Sequence, residues 1–193
     1  MQDSVIQGIP KIHDQIVRKS EEIGFTMPSD LYVGSLLKTL ISSKPGGTFL
    51  ELGTGIGLSL SWMVEGMDEN SKLISVDNDA ELIAIANTYF GSDPRLELVC
   101  ADGAEWIKEN RTKRFDLIFA DAWPGKYGQL EEVLQMVKIG GYYVIDDMSR
   151  QPNWPAGHDE NVKQLIADLE SRNNFQITKM NWSTGLVLAV KKY

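Results

Sequence analysis

From residue 48 onward the chain alternates short apolar runs with stretches of helical periodicity. The runs predict strands over 48–52, 72–76, 96–101, 115–120 and 141–145, and the stretches between them predict helices over 58–65, 80–90, 104–109 and 127–137. Such alternation argues for a parallel sheet with helices on both faces. A rigid loop is expected over 152–157, where Pro152 and Pro155 bracket Asn153-Trp154, followed by a last helix over 158–171. Two final strands, 175–182 and 186–191, are separated only by Ser183-Thr184-Gly185. A parallel crossover needs a dozen residues or more, so this connection must be a hairpin, and one of the two strands runs antiparallel. Upstream, Val5, Ile6, Ile9, Ile12, Ile16, Val17 and Ile23 recur at helical spacing over 2–23, interrupted near the start by Pro10. A second helix is expected to open at Ser29 or Asp30, run through Leu31, Val33, Leu36, Leu37, Leu40 and Ile41, and end at Lys44-Pro45-Gly46-Gly47. The pattern fits one domain over 1–193, with an N-terminal helical lid over 1–47 on a core over 48–193.

The sharpest signal lies where the first strand meets its helix, at Glu51-Leu52-Gly53-Thr54-Gly55-Ile56-Gly57-Leu58-Ser59. Glycines there permit a tight bend and let a ligand lie against the backbone, and the helix start that follows favours an anionic group. The stretch announces a cofactor site, and with the alternation above it predicts an α/β, Rossmann-like three-layer sandwich: a mostly parallel seven-stranded sheet with an antiparallel C-terminal hairpin. The dinucleotide fingerprint requires glycines at its first, third and sixth positions, whereas here they fall at the first, third and fifth, with Leu58 at the sixth. Strand two ends at Val76-Asp77-Asn78, whose carboxylate suits the ribose hydroxyls of an adenosine in either class of enzyme. Strand three ends at Asp102-Gly103, suited to an adenine edge or equally to a helix cap. Strands four and five end at Asp121 and at Asp146-Asp147. Three carboxylates at neighbouring strand tips repel one another unless protonated, hydrogen-bonded or neutralised, and their oxygens suit Mg²⁺ or another divalent cation.

These motifs resemble those of class I S-adenosylmethionine-dependent O-methyltransferases of the catechol and caffeoyl-CoA group, from about Met27 to the C-terminus. The resemblance implies the parallel sheet with a terminal hairpin and S-adenosyl-L-methionine as cofactor. It implies that Met27, Glu51, Gly53, Thr54, Gly55, Ser59, Asp77, Asn78, Asp102, Gly103, Asp121 and Trp123 surround that cofactor, with Ser59 at its methionine carboxylate. Asp121, Asp146 and Asp147 correspond to the family's metal-binding positions, the last with Asp in place of the usual Asn. The family's lysine position, three residues after Asp121, is Pro124, which leaves Lys126 and Asp121 as the candidate catalytic groups. The implied activity is O-methylation of a small hydroxylated, phenolic or catecholic, acceptor. Two rivals stand beside it: an NAD-dependent oxidoreductase, and a non-catalytic adenosine-binding protein of the same fold. Trp123, Tyr127, Trp154 and Trp182 are candidate walls for a flat substrate; His13 and His158 carry no assignment.

Charge and cysteine content narrow the picture further. A net charge of -8 argues against a nucleic-acid partner, and Lys108, Arg111, Lys113 and Arg114 read as a solvated helix end. No apolar run approaches the ~18 residues of a membrane span, which argues against a membrane partner. One cysteine, Cys100, excludes an internal disulfide and fits the cytoplasm; its apolar strand predicts a buried thiol. The apolar first helix offers a surface for a homodimer.

Overall fold

The computed structural model describes residues 2–151 and 154–193; Pro152 and Asn153 of the expected proline loop lie outside them. Fourteen elements follow one another as α1 (His13–Ile23), α2 (Leu31–Ser42), β1 (Thr48–Leu52), α3 (Leu58–Gly66), β2 (Lys72–Asp77), α4 (Ala80–Phe90), β3 (Leu96–Cys100), α5 (Gly103–Asn110), β4 (Phe115–Ala120), α6 (Leu130–Met136), β5 (Val137–Ile145), α7 (His158–Ser171), β6 (Phe175–Met180) and β7 (Leu186–Lys191). The seven strands form one sheet in the order β3-β2-β1-β4-β5-β7-β6. β1 to β5 pair in parallel, while β7 runs antiparallel to both β5 and β6.

Alternation along the central strands sorts their side chains into two cores. Leu50 and Leu52 of β1, Ile118 and Ala120 of β4, and Tyr143 and Ile145 of β5 face one side, against Trp106 and Ile107 of α5, Val133 of α6 and Leu165 of α7. Phe49, Leu117, Phe119 and Val144 face the other, against Ile16, Leu37 and Ile41 of α1 and α2, Met63 of α3 and Phe90 of α4. Both faces are therefore covered, which explains why these strands read as unbroken apolar runs. α2 is part of this second core, with Val33 and Leu37 fully buried. The stretch of the N-terminal region that borders the ligand crevice is Phe25 to Ser29, between the two helices.

Several boundaries differ from expectation, each for a local reason. α1 starts at His13 and not near residue 2, because Pro10 lacks an amide hydrogen and Gly8 takes a φ of 67°. α6 starts at Leu130 and not at Tyr127: the amides of Lys126, Tyr127 and Gly128 all donate to the carbonyl of Trp123, closing a compact turn first. β5 begins four residues earlier than expected, with an irregular register opposite β4 between Phe115 and Leu117. β6 stops at Met180, two residues short. Cys100 is exposed, contrary to the buried thiol expected, because β3 is the outer strand of the sheet and its last residue leaves the core. Lys108, Arg111, Lys113 and Arg114 are exposed, as a solvated helix end requires. Among the described residues no helix is long and apolar enough to cross a membrane.

Candidate active site

Strand order reverses between β1 and β4, and ligands of open α/β sheets bind outside the carboxyl ends of the strands at such a point. A crevice of about 500 Å³ opens there. The glycine bend after β1 forms its floor. Gly53 has a φ of 100°, and a Cβ built on it would lie 2.8 Å from the carbonyl oxygen of Asp121. Only glycine lets the tips of β1 and β4 approach this closely. Ladder bonds continue past the strands, Asp121 N to Leu52 O at 2.9 Å joining β4 to β1 and Gly53 N to Val76 O at 2.9 Å joining β1 to β2.

The bend is fastened from two sides. Asp77, at the tip of β2, accepts a hydrogen bond from the amide of Gly55 at 2.9 Å and another from Asp79 N at 2.9 Å. The helix cap is Asp79, which accepts from Glu81 N and Leu82 N, so Asp77 is free of that duty. Beneath the bend, Glu51 is fully buried and does not border the crevice. It accepts from Ser59 Oγ at 2.6 Å and Ser75 Oγ at 2.5 Å, and Ser75 in turn bonds Thr54 at 2.6 Å. Burial pushes the Glu51 carboxyl up to about 8; the two serine hydroxyls work against that rise, and the charges of Asp121 and Asp77 add to it. Glu51 thus holds the bend from behind, and Ser59, 3% exposed, is tied to it.

Asp77, Asn78, Gly53, Gly55, Met27, Trp123, Asp121, Lys126, Asp146 and Asp147 all border the crevice. Thr54 and Ser59 line a small adjoining recess beside Phe25, Met27 and Gly53. Asp102 and Gly103 do not border it: Asp102 caps α5 by accepting from Glu105 N, and Gly103 packs toward Pro124. Met27 and Trp123 are well exposed, at 67% and 55%, and both border the crevice.

The far wall holds the charged groups. Lys126 is only 5% exposed; its Nζ donates to the carbonyl of Asp146 at 2.9 Å and lies 3.4 Å from Asp121 Oδ1. Ser29 Oγ reaches Asp121 Oδ2 at 3.4 Å. Asp146 Oδ1 accepts from Thr184 Oγ1 and from the amide of Asp147 at 2.7 Å, and Asp147 itself adopts a left-handed backbone with φ 59°. Burial raises the carboxyl pKa of Asp121 and of Asp146. The Lys126 charge counters the shift at Asp121, and the Asp121 charge reinforces it at Asp146.

The expected metal set of Asp121, Asp146 and Asp147 is not assembled. Among the described residues no group of three His, Cys, Asp or Glu side chains is placed to hold a metal ion. Asp121 faces the ammonium of Lys126 instead, and Asp146 Oδ1 is engaged by Thr184 and the Asp147 amide. As placed, the described residues do not form a divalent-cation site.

Aromatic side chains complete the crevice. The His158 ring lies 4.5 Å from Trp154, 5.1 Å from Tyr127 and 5.4 Å from Trp123, centroid to centroid, and its Nε2 is 3.3 Å from the Tyr127 hydroxyl. Trp182 instead packs on Tyr32 and does not border the crevice. His13 is buried against Trp62, and that burial lowers its pKa. Sequence reasoning missed Phe25, Ser29, Thr184 and His158 as crevice residues. Ser29 announces itself only as a helix-cap candidate and Thr184 only as a turn residue, and nothing local in either stretch says that distant chain lies opposite.

Comparison with known proteins agrees with this architecture. A family model described as O-methyltransferase matches residues 12–192. A protein named "Putative O-methyltransferase" from Mycobacterium leprae (strain TN) is 33% identical over 165 residues, covering 79% of this chain and 73% of the relative. The O-methyltransferase from Bacillus cereus, solved in complex with SAH, superposes with a TM-score of 0.84 at 16% identity, over 98% of this chain and 94% of that one. TomG from Streptomyces achromogenes, an O-methyltransferase involved in tomaymycin synthesis and solved with SAM, superposes with a TM-score of 0.85 at 18% identity, over 98% and 93%. The two superpositions establish the fold, and the sequence matches establish the lineage: the chain belongs to the O-methyltransferase family.

Proposed function

We propose that this protein transfers a methyl group from S-adenosyl-L-methionine to the hydroxyl of a small phenolic or catecholic acceptor. The observation that carries the reading is the Asp77–Gly55 clasp. It fixes a carboxylate against a glycine bend at the switch point of the sheet, facing a wall of acidic, basic and aromatic groups across one crevice. Bound S-adenosylmethionine supplies an activated methyl carbon on a sulfonium centre. Asp77 and Asn78 take the ribose, and the bend from Gly53 to Gly55, with Thr54 and Ser59 in the recess below, takes the amino-acid end. Asp102 and Gly103 stand beyond the crevice edge, on the adenine side. Met27 and Trp123 close over the bound nucleoside.

Beside the nucleoside, Trp123, Tyr127 and Trp154 hold the acceptor ring. Aligning the reacting atoms at near-contact distance contributes ~7–11 kcal/mol of barrier reduction. The Lys126 ammonium faces the acceptor oxygen and favours its deprotonated form, while Asp121 receives the hydroxyl proton. The oxygen's lone pair then forms the new C–O bond as the C–S pair departs to sulfur. The Lys126–Asp121 pair bordering the crevice favours this catalytic reading over a binding protein that has lost its base. We assign the reaction to the cytoplasm, with a small molecule and no nucleic acid or membrane as its partner.

Incubation with methyl-labelled S-adenosylmethionine and a panel of phenols and catechols tests the reading. Labelled ether products that vanish in Asp121→Ala are expected. NAD-dependent oxidation of those substrates without methyl transfer would overturn it.

A further inference from the structure

The turn between β4 and α6 places a charge where the strand tips need one. The amides of Lys126, Tyr127 and Gly128 converge on the carbonyl of Trp123, Gly125 N donates to Gly128 O, and the buried Tyr143 hydroxyl donates to the carbonyl of Gly125. So braced, the turn directs the Lys126 side chain inward, almost entirely buried, against the tips of β4 and β5. Two of the three ammonium hydrogens are accounted for, one on Asp146 O and one facing Asp121 Oδ1. The third remains for a ligand atom in the crevice that Lys126 borders.

We infer that the Lys126 ammonium, held between the Asp121 carboxylate and the Asp146 carbonyl, takes the place of a divalent cation at these strand tips, so that this enzyme orients its acceptor hydroxyl with a cation built into its own chain. The inference deepens the proposed methyl transfer and rests on it for the identity of the acceptor. An ammonium neutralises one of the three carboxylate charges and supplies a directional donor, where a metal would supply two charges and open coordination positions. Asp146 is correspondingly committed to protein partners: Thr184 Oγ1 and the Asp147 amide share one of its oxygens, and its carbonyl receives Lys126. Lys126→Met removes the resident charge, keeps most of the side-chain volume, and leaves the Asp121 carboxylate without its ammonium partner, beside Asp146 and Asp147.

The test is Mn²⁺ binding to the full chain, followed by electron paramagnetic resonance, for the wild type, Lys126→Met, Lys126→Gln, Asp146→Asn and the Lys126→Met/Asp146→Asn double variant. S-adenosylhomocysteine affinity is measured on the same samples. The wild type is expected to show no saturable site up to millimolar Mn²⁺. Lys126→Met or Lys126→Gln should gain a site at least tenfold tighter, lost again in the double variant. A wild-type site that disappears in Asp146→Asn would overturn the inference whether or not the lysine variants fold. Folded lysine variants that gain nothing would overturn it as well. Absence of S-adenosylhomocysteine binding would strike the proposed methyl transfer alone, because the Mn²⁺ comparison does not depend on the nucleoside.

Discussion

A carboxyl group with no solvent contact stays neutral unless charge compensation reaches it, and around Glu51 only hydroxyls do. Its pKa of about 8 in the folded protein stands above the 4.5 of a free glutamate. A group raised on folding contributes stability that is complete below its unfolded value and is lost as pH climbs through its folded value. Unfolding free energy should therefore decline between about pH 4.5 and pH 8, reinforced by Asp121 and Asp146, which shift in the same direction. Glu51→Gln keeps a neutral hydrogen-bonding side chain and should flatten that decline, measured by urea denaturation at several pH values. An unchanged slope would show that Glu51 is ionised in the folded state. Much of the site at this scale is legible in sequence. Asp77, Asp121 and the glycines announce themselves because strand tips and bends impose residue types. Glu51 is legible as a motif position but not as a support, since its partner Ser75 becomes adjacent only through the pairing of β1 with β2. Cys100 misleads because an apolar strand reads alike at the centre and at the edge of a sheet.

Between elements, the hairpin connection is what braces β5. Ser149 N donates to Thr184 O and Met148 N to Gly185 O, while the Thr184 hydroxyl bonds Asp146. The loop after β5 is thereby sewn to the turn between β6 and β7. Thr184→Val removes a hydroxyl from a carboxylate that is 3% exposed, and is expected to cost about 1–3 kcal/mol in chemical denaturation. No loss would mean that water replaces the hydroxyl freely. The elements themselves were legible: every strand and core helix follows from apolar periodicity, and the hairpin follows from the shortness of its connection. Two of the misjudged boundaries, those of α1 and α6, lie where turn-forming residues override periodicity. Pro10 stops the first, and the Trp123-to-Gly128 turn delays the second. That same turn determines where Lys126 points, which spacing alone leaves open.

For the whole molecule, the order of strands decides where chemistry happens. β1 and β4 are neighbours whose helices leave toward opposite faces, and the gap so created receives the glycine bend after β1, side chains from the tips of β2, β4 and β5, Thr184 of the β6–β7 turn, the segment from Phe25 to Ser29, and the aromatic cluster at α7. No stretch of sequence displays that convergence; it follows from right-handed crossovers feeding a sheet covered on both faces. The central claim is that this gap grips a sulfonium nucleoside through the glycine bend and Asp77. Isothermal calorimetry with S-adenosylhomocysteine, on the wild type and on Asp77→Ala, addresses it without knowledge of the acceptor. Saturable binding that weakens roughly 10–100-fold in the variant is expected, the equivalent of losing a charged hydrogen-bond acceptor. No binding to the wild type, or equal affinity for both proteins, would contradict the account.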